Sequence, residues 1–256
     1  MSPPRRHVLV LLTVALAIAA CTTPASAWSP RTRVRMVEDA RKLMPRTLRD
    51  VLARHEREIR RGMLTPLTAE GTPAHLPPWQ DGTLDAEIGD RSAAVTAAVD
   101  GQEPFAVVAR RLGELAHFVA DAGFPPLAGG TGDEDRYAHF SSLVDDRLDK
   151  IPLVFYGHGD PMLERGDAAA FARAVLEKAR EEDSELARAY EAAGPTPHPS
   201  AFDDRSVPFA VASLAYSRTV TRIANAWLDA WQRAHGDLGR TPYLDPDNPP
   251  RALDRP

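Results

Sequence analysis

The stretch between Pro104 and Pro125 constrains the fold more than any other part of the chain. Within it Val107, Val108, Leu112, Leu115, Ala116 and Val119 recur at intervals of three and four residues, which puts them on one stripe of an α-helix. Pro104 suits the first position of that helix, and the stripe ends before Pro125. A stripe of this length must be covered by other helices or by a sheet. Sheet is scarce in the pattern, since only residues 151–156 have a β-rich composition. Helical spacing recurs instead at 34–43, at 47–61, from residue 85, at 136–149, at 167–193 and at 207–234. Pro45 separates the first two of these. The reading is an all-α, multi-helix domain. Residues 62–82, rich in Pro, Thr and Gly and without a period, read as a loop able to carry site residues.

The ends of the chain read differently. Arg5 and Arg6, an apolar run over 8–20 and small residues after it form an export signal at 1–27. The run falls short of the roughly 20 apolar residues that cross a bilayer. Two cleavage points compete: Ile18-Ala19-Ala20-Cys21 resembles a bacterial lipobox, whereas Ala25-Ser26-Ala27 would release a chain starting at Trp28. Cys21 is the sole cysteine, so no intrachain disulfide forms, and a lone thiol within a signal favours lipidation there. The expectation is an exported protein, lipid-anchored at the cell envelope and not freely secreted, with a domain over 28–236 and a Pro-rich tail over 237–256. About 230 residues suffice for one core. A net charge of −5 and a pI near 5.9 leave no basic footprint and argue against nucleic acid as a partner.

In the central helix Gly113, His117 and Asp121 stand four residues apart, so the imidazole and the carboxylate share a face. Neutral imidazole beside carboxylate suits zinc, and Gly113 admits close approach of a backbone or ligand. A buried histidine hydrogen-bonded to an aspartate fits the same pair without metal.

The run from Leu112 to Asp121 followed by Pro125-Pro126 resembles the signature helix of the zinc-dependent phospholipase C and S1/P1 nuclease superfamily. Trp28-Ser29 after a signal, Leu43-Met44-Pro45, His55 ahead of Gly62, Val144-Asp145-Asp146-Arg147-Leu148 and a last helix with Trp227 and Trp231 agree in order, over residues 28–235. The resemblance implies an all-helical fold and a three-zinc cluster that activates water against a phosphodiester. It assigns His117 and Asp121 as metal ligands, Trp28 as a ligand through its amine and carbonyl, and His75 as the histidine of the preceding loop.

The departures are numerous. No histidine occurs in 32–40, where Arg33 stands instead; the Pro-Asp step reads Pro66-Leu67; the Pro-x-His step reads Pro125-Pro126-Leu127; and Tyr137 and Ser141 replace a histidine and a glutamate. Leu127 cannot ligate, and the other two are not usual zinc donors. Two arrangements stay open: one zinc held by His75, His117 and Asp121 with an open position, or no metal, with Arg33 neutralising Asp121 in the core. The corresponding functions are a divergent phospholipase C-like protein with an eroded site, little or no hydrolase activity and a scaffold or binding role at the envelope, or an active zinc-dependent phosphodiester hydrolase. The ligand in either case is a phospholipid or other phosphodiester.

The remaining histidines carry less. His139 faces away from Tyr137 and Ser141; His158, between Gly157 and Gly159-Asp160-Pro161, reads as a surface turn; His55 reads as a core histidine; His198 and His235 read as solvent-facing. The dense mixed charge of 177–191 reads as a solvated helix face.

Overall fold

The computed structural model describes residues 27–69, 72–130, 134–194 and 202–244. Cys21 with the rest of residues 1–26, His198 and the last twelve residues of the tail lie outside them. Among the described residues every regular element is helical: α1 (Pro30–Lys42), α2 (Arg46–Arg54), α3 (Glu56–Leu64), α4 (Leu84–Asp100), α5 (Phe105–Ala122), α6 (Pro125–Gly129), α7 (Glu134–Arg147), α8 (Pro161–Glu164), α9 (Ala168–Ala193) and α10 (Val207–Arg233). The all-α expectation holds.

α5 is the centre of the fold and packs against α3, α4 and α10. Its stripe is buried from Val108 onward, with Val107 half-buried in the first turn, and Phe118, Ala120 and Ala122 extend the burial round the helix. Pro104 serves as its N-cap and not as its first helical residue. Trp227 of α10 is fully buried and donates its Nε1–H to the Leu112 carbonyl, 2.9 Å away, tying the last helix to the central one.

α3 crosses α5 at two glycines. A Cβ on Gly113 would stand 2.2 Å from the Ile59 carbonyl oxygen, and one on Gly62 would stand 2.0 Å from that of Arg110. Only paired glycines permit backbones this close. Gly62 is therefore helical, which corrects the expected start of the loop; three short 3₁₀ turns follow, Thr65–Ala69, Pro73–His75 and Pro78–Gln80.

Four further expectations change. The helix expected over 47–61 is broken at His55 (φ −113°, ψ 33°), which leaves that histidine half-buried at a joint and not in the core. Residues 151–156 are extended but pair with a helix: Val154 N–H donates to Ser217 Oγ at 3.1 Å, Tyr156 N–H to Thr221 Oγ1 at 3.3 Å, and Ser217 Oγ donates to the Pro152 carbonyl at 3.0 Å. Two hydroxyls one turn apart on α10 thus satisfy alternate backbone groups that a neighbouring strand would otherwise take. His158 is buried, not in a surface turn, because the 237–244 segment folds over it and the Pro242 carbonyl accepts from its Nε2 at 2.9 Å. On α9, Glu182 and Asp183 are buried and paired with Arg218 and Arg136 respectively, while their charged neighbours stay in solvent. His139 turns toward Tyr190 (2.7 Å to its hydroxyl), and His235 is exposed at the end of α10.

Candidate metal centre

Three elements, and the residues just ahead of the first, converge on one buried spot. α5 supplies His117 and Asp121, one turn apart and 0% and 2% exposed. His75 comes from the Pro73–His75 turn, which is pinned to the head of α4 by Thr83 N–H on the Pro73 carbonyl (2.7 Å) and Leu84 N–H on the Leu76 carbonyl (3.1 Å). α1 supplies Arg33, and Trp28 lies just before its cap, Ser29.

The protonation pattern follows from the acceptors. The Met63 carbonyl lies 2.7 Å from His117 Nδ1 and can only accept, so Nδ1 carries the proton. In the neutral ring Nε2 then bears a lone pair. It lies 3.2 Å from Asp121 Oδ2, is fully buried, and has no hydrogen-bond partner. Burial holds His117 below the usual histidine range, with Arg33 working against the attraction of Asp121. His75 Nδ1 lies 2.7 Å from Asp121 Oδ2 and donates to it. Donor atoms of His75, His117 and Asp121 lie within 4.8 Å of one another.

Arg33, 0% exposed, completes the cluster. Its Nη2 donates to Asp121 Oδ1 at 2.5 Å, and its Nε to the Trp28 carbonyl at 3.0 Å. Its Nη1 lies 3.4 Å from the His117 carbonyl, with the His117 ring alongside. Burial alone would raise the Asp121 carboxyl, but the Arg33 guanidinium, aided by the His75 hydrogen bond, holds it well below the usual carboxylate range. The pair anticipated between Arg33 and Asp121 is thus formed.

Donor type, number and spacing fit a zinc ion, and the orphaned His117 Nε2 fits it too. The charge and the lone pairs do not. Both oxygens of Asp121 already accept from N–H donors, the Trp28 carbonyl is taken by Arg33, and a dication would stand beside a buried guanidinium. As arranged, the cluster fits the arginine and not a metal. The positions read as lost ligands are apolar or packed: Leu67 and Leu127 are half-buried, and Tyr137 sits edge-on to Phe124 with ring centres 4.8 Å apart. Trp28 is locked by its own Nε1–H on the Ala120 carbonyl (2.8 Å) and by Phe124.

The Met63 carbonyl escaped the sequence reading, because a backbone acceptor leaves no residue-type signature. The glycine pair was its only trace, since the close α3–α5 crossing carries that carbonyl to the histidine.

No family model matches the chain, and no curated protein does. Among solved structures it is similar to Clostridium perfringens alpha-toxin from an avian strain, with a TM-score of 0.62 and 15% sequence identity over 83% of this chain and 66% of that one. At that identity the likeness is one of fold: this chain has a phospholipase C-like, all-helical fold.

Proposed function

We propose that this chain is a phospholipase C-like protein in which an arginine has taken the place of the metal cluster, leaving a binding or scaffold protein at the cell envelope with little or no hydrolase activity. The observation that carries the reading is the position of Arg33, which engages the Trp28 carbonyl and Asp121 and lies against His117. These are three of the four groups that the family resemblance assigns to metal. A guanidinium supplies positive charge and fixed N–H donors, but it has no open coordination position and cannot acidify a water. Leucine at position 67, where the resemblance calls for the aspartate base, agrees.

Export fits the same reading. In the resemblance Trp28 ligates through a free amine, which requires cleavage after Ala27. With Arg33 as the cation that amine has no role, so lipidation at Cys21, which keeps Trp28 inside the chain, costs the site nothing. A phospholipid surface is then the natural surrounding of the anchored protein.

A second reading keeps one zinc on His75, His117 and Asp121 and makes the protein a reduced phosphodiester hydrolase; the orphaned Nε2 of His117 favours it. Elemental analysis of protein purified without added metal, beside hydrolysis of a chromogenic phosphodiester with zinc and with chelator, separates the two. The arginine reading expects less than a tenth of a zinc per chain and no chelator-sensitive turnover. Stoichiometric zinc with turnover abolished in His117→Ala would overturn it.

A further inference from the structure

A second polar site lies away from this cluster. Between α9, α10 and the 156–159 segment the fold forms a half-open cavity of about 420 Å³, within the size range of small-molecule sites. α9 contributes Val175 and Ala179 beside Lys178 and Glu182, and α10 contributes Ala215 beside Arg218, Arg222 and Asn225. His75, His117 and Asp121 do not line it.

Three features of the polar lining point to one ligand chemistry. Arg218 and Arg222 stand one turn apart on α10 and are each held by a carboxylate, Glu182 and Asp160, so the forks are oriented before anything binds. Lys178 adds a third cation at the exposed rim, where Glu181 pairs with it at 2.6 Å, so each cation is oriented by a carboxylate of its own. Asn225, 4% exposed, has a buried Oδ1 with no hydrogen-bond partner. An unmet acceptor in a buried amide is costly and invites a donor. From Arg218 through Arg222 to Asn225 the helix rises about 10 Å, at about 1.5 Å per residue.

We propose that this cavity binds a small organic oxyanion with an apolar middle and a hydroxyl at its far end, the anion lying between Arg218 and Arg222 and the hydroxyl donating to Asn225 Oδ1. The proposal does not depend on the fate of the metal cluster.

The test is titration calorimetry of the purified chain with 4-hydroxybenzoate, benzoate and inorganic phosphate, each at low and at 0.5 M salt. The expected result is saturable one-to-one binding of 4-hydroxybenzoate, about tenfold weaker binding of benzoate, and weakening of both by salt, about tenfold being what one good hydrogen bond supplies. Asn225→Leu should remove the difference between the two aromatic acids and leave benzoate binding in place. Arg218→Gln should weaken both by about tenfold or more. Circular dichroism checks that each variant folds, and the comparison of the two acids on the unaltered chain stands even if neither variant does. No saturable binding of either aromatic acid, equal affinity for the two, or phosphate binding as tightly as 4-hydroxybenzoate would each overturn the proposal.

Discussion

Replacing Arg33 by methionine tests the central cluster most directly, because it removes the cation and keeps much of the volume. In the folded chain Asp121 is 2% exposed and keeps its charge because of Arg33. Without the guanidinium it retains only the His75 and His117 contacts. Breaking a buried ion pair by removing one partner costs about 3–5 kcal/mol, chiefly because the other charge is left stranded. At about 2–4 °C per kcal/mol for a domain of this size, the melting temperature should fall by roughly 6–20 °C at pH 7. The sign of the pH effect distinguishes stranded charge from lost packing. In the native chain the Asp121 carboxyl lies below its unfolded value of about 3.9, so its contribution is complete above that pH and is lost only as the pH falls through the lower folded value. In Arg33→Met burial pushes the same carboxyl up, so the variant should regain stability relative to the native chain between pH 7 and pH 4. Urea unfolding followed by tryptophan fluorescence at both values measures the gap. Adding Asp121→Leu should recover most of the loss, since an apolar pair needs no partner. A loss under about 1 kcal/mol, or a gap that does not change with pH, would refute the account of Arg33 as the cation that holds Asp121.

Gly113→Ala should destabilise the chain by about 1–3 kcal/mol in thermal unfolding, although alanine is the better helix former by about 1 kcal/mol, because the new Cβ meets the backbone of α3. His117, His139 and His158 are all held low by burial, so below about pH 6.5 the unfolded chain binds more protons and stability falls with pH. His158→Leu should remove one histidine's share of that slope in urea unfolding between pH 7.5 and 5.5; an unchanged slope would show that His158 does not contribute.

Helix content was legible because the ends are written in local chemistry. Asp167 accepts from the Ala170 N–H and Ser206 from that of Phe209, and α9 and α10 start within a residue of where the pattern placed them. The break at His55 was not legible, since Leu48, Val51, Leu52 and Ile59 keep helical spacing across it. Residues 151–156 looked strand-like because their composition suits an extended backbone; their partners, Ser217 and Thr221, lie more than sixty residues away. The His117–Asp121 pair followed from a four-residue spacing, and the Arg33–Asp121 pair from the cost of an unpaired buried charge. The cavity on α10 was invisible for the opposite reason. Arg218 and Arg222 are spaced like residues of any solvated face, and only the 156–159 segment and α9 turn that face into a wall.

The proposed exchange of metal for arginine would change the chemistry of the cluster in a way that follows from the guanidinium alone. A zinc ion is acquired, can be removed by a chelator, and is released in acid as its ligands protonate. Arg33 is covalently part of α1 and presents planar donors matched to a carboxylate oxygen and a carbonyl. Under that proposal the cluster gains constancy and loses reactivity together. The same five-donor fork that neutralises Asp121 also ties α1 to α5, since Trp28 and Asp121 stand 93 positions apart in the chain and meet through one side chain. A group that began as a place for chemistry would in this way become a structural joint, and selection would then act on its packing and no longer on access for a substrate. The burial of all four side chains, from 0% exposure at Arg33 and His117 to 4% at His75, is what such a joint requires.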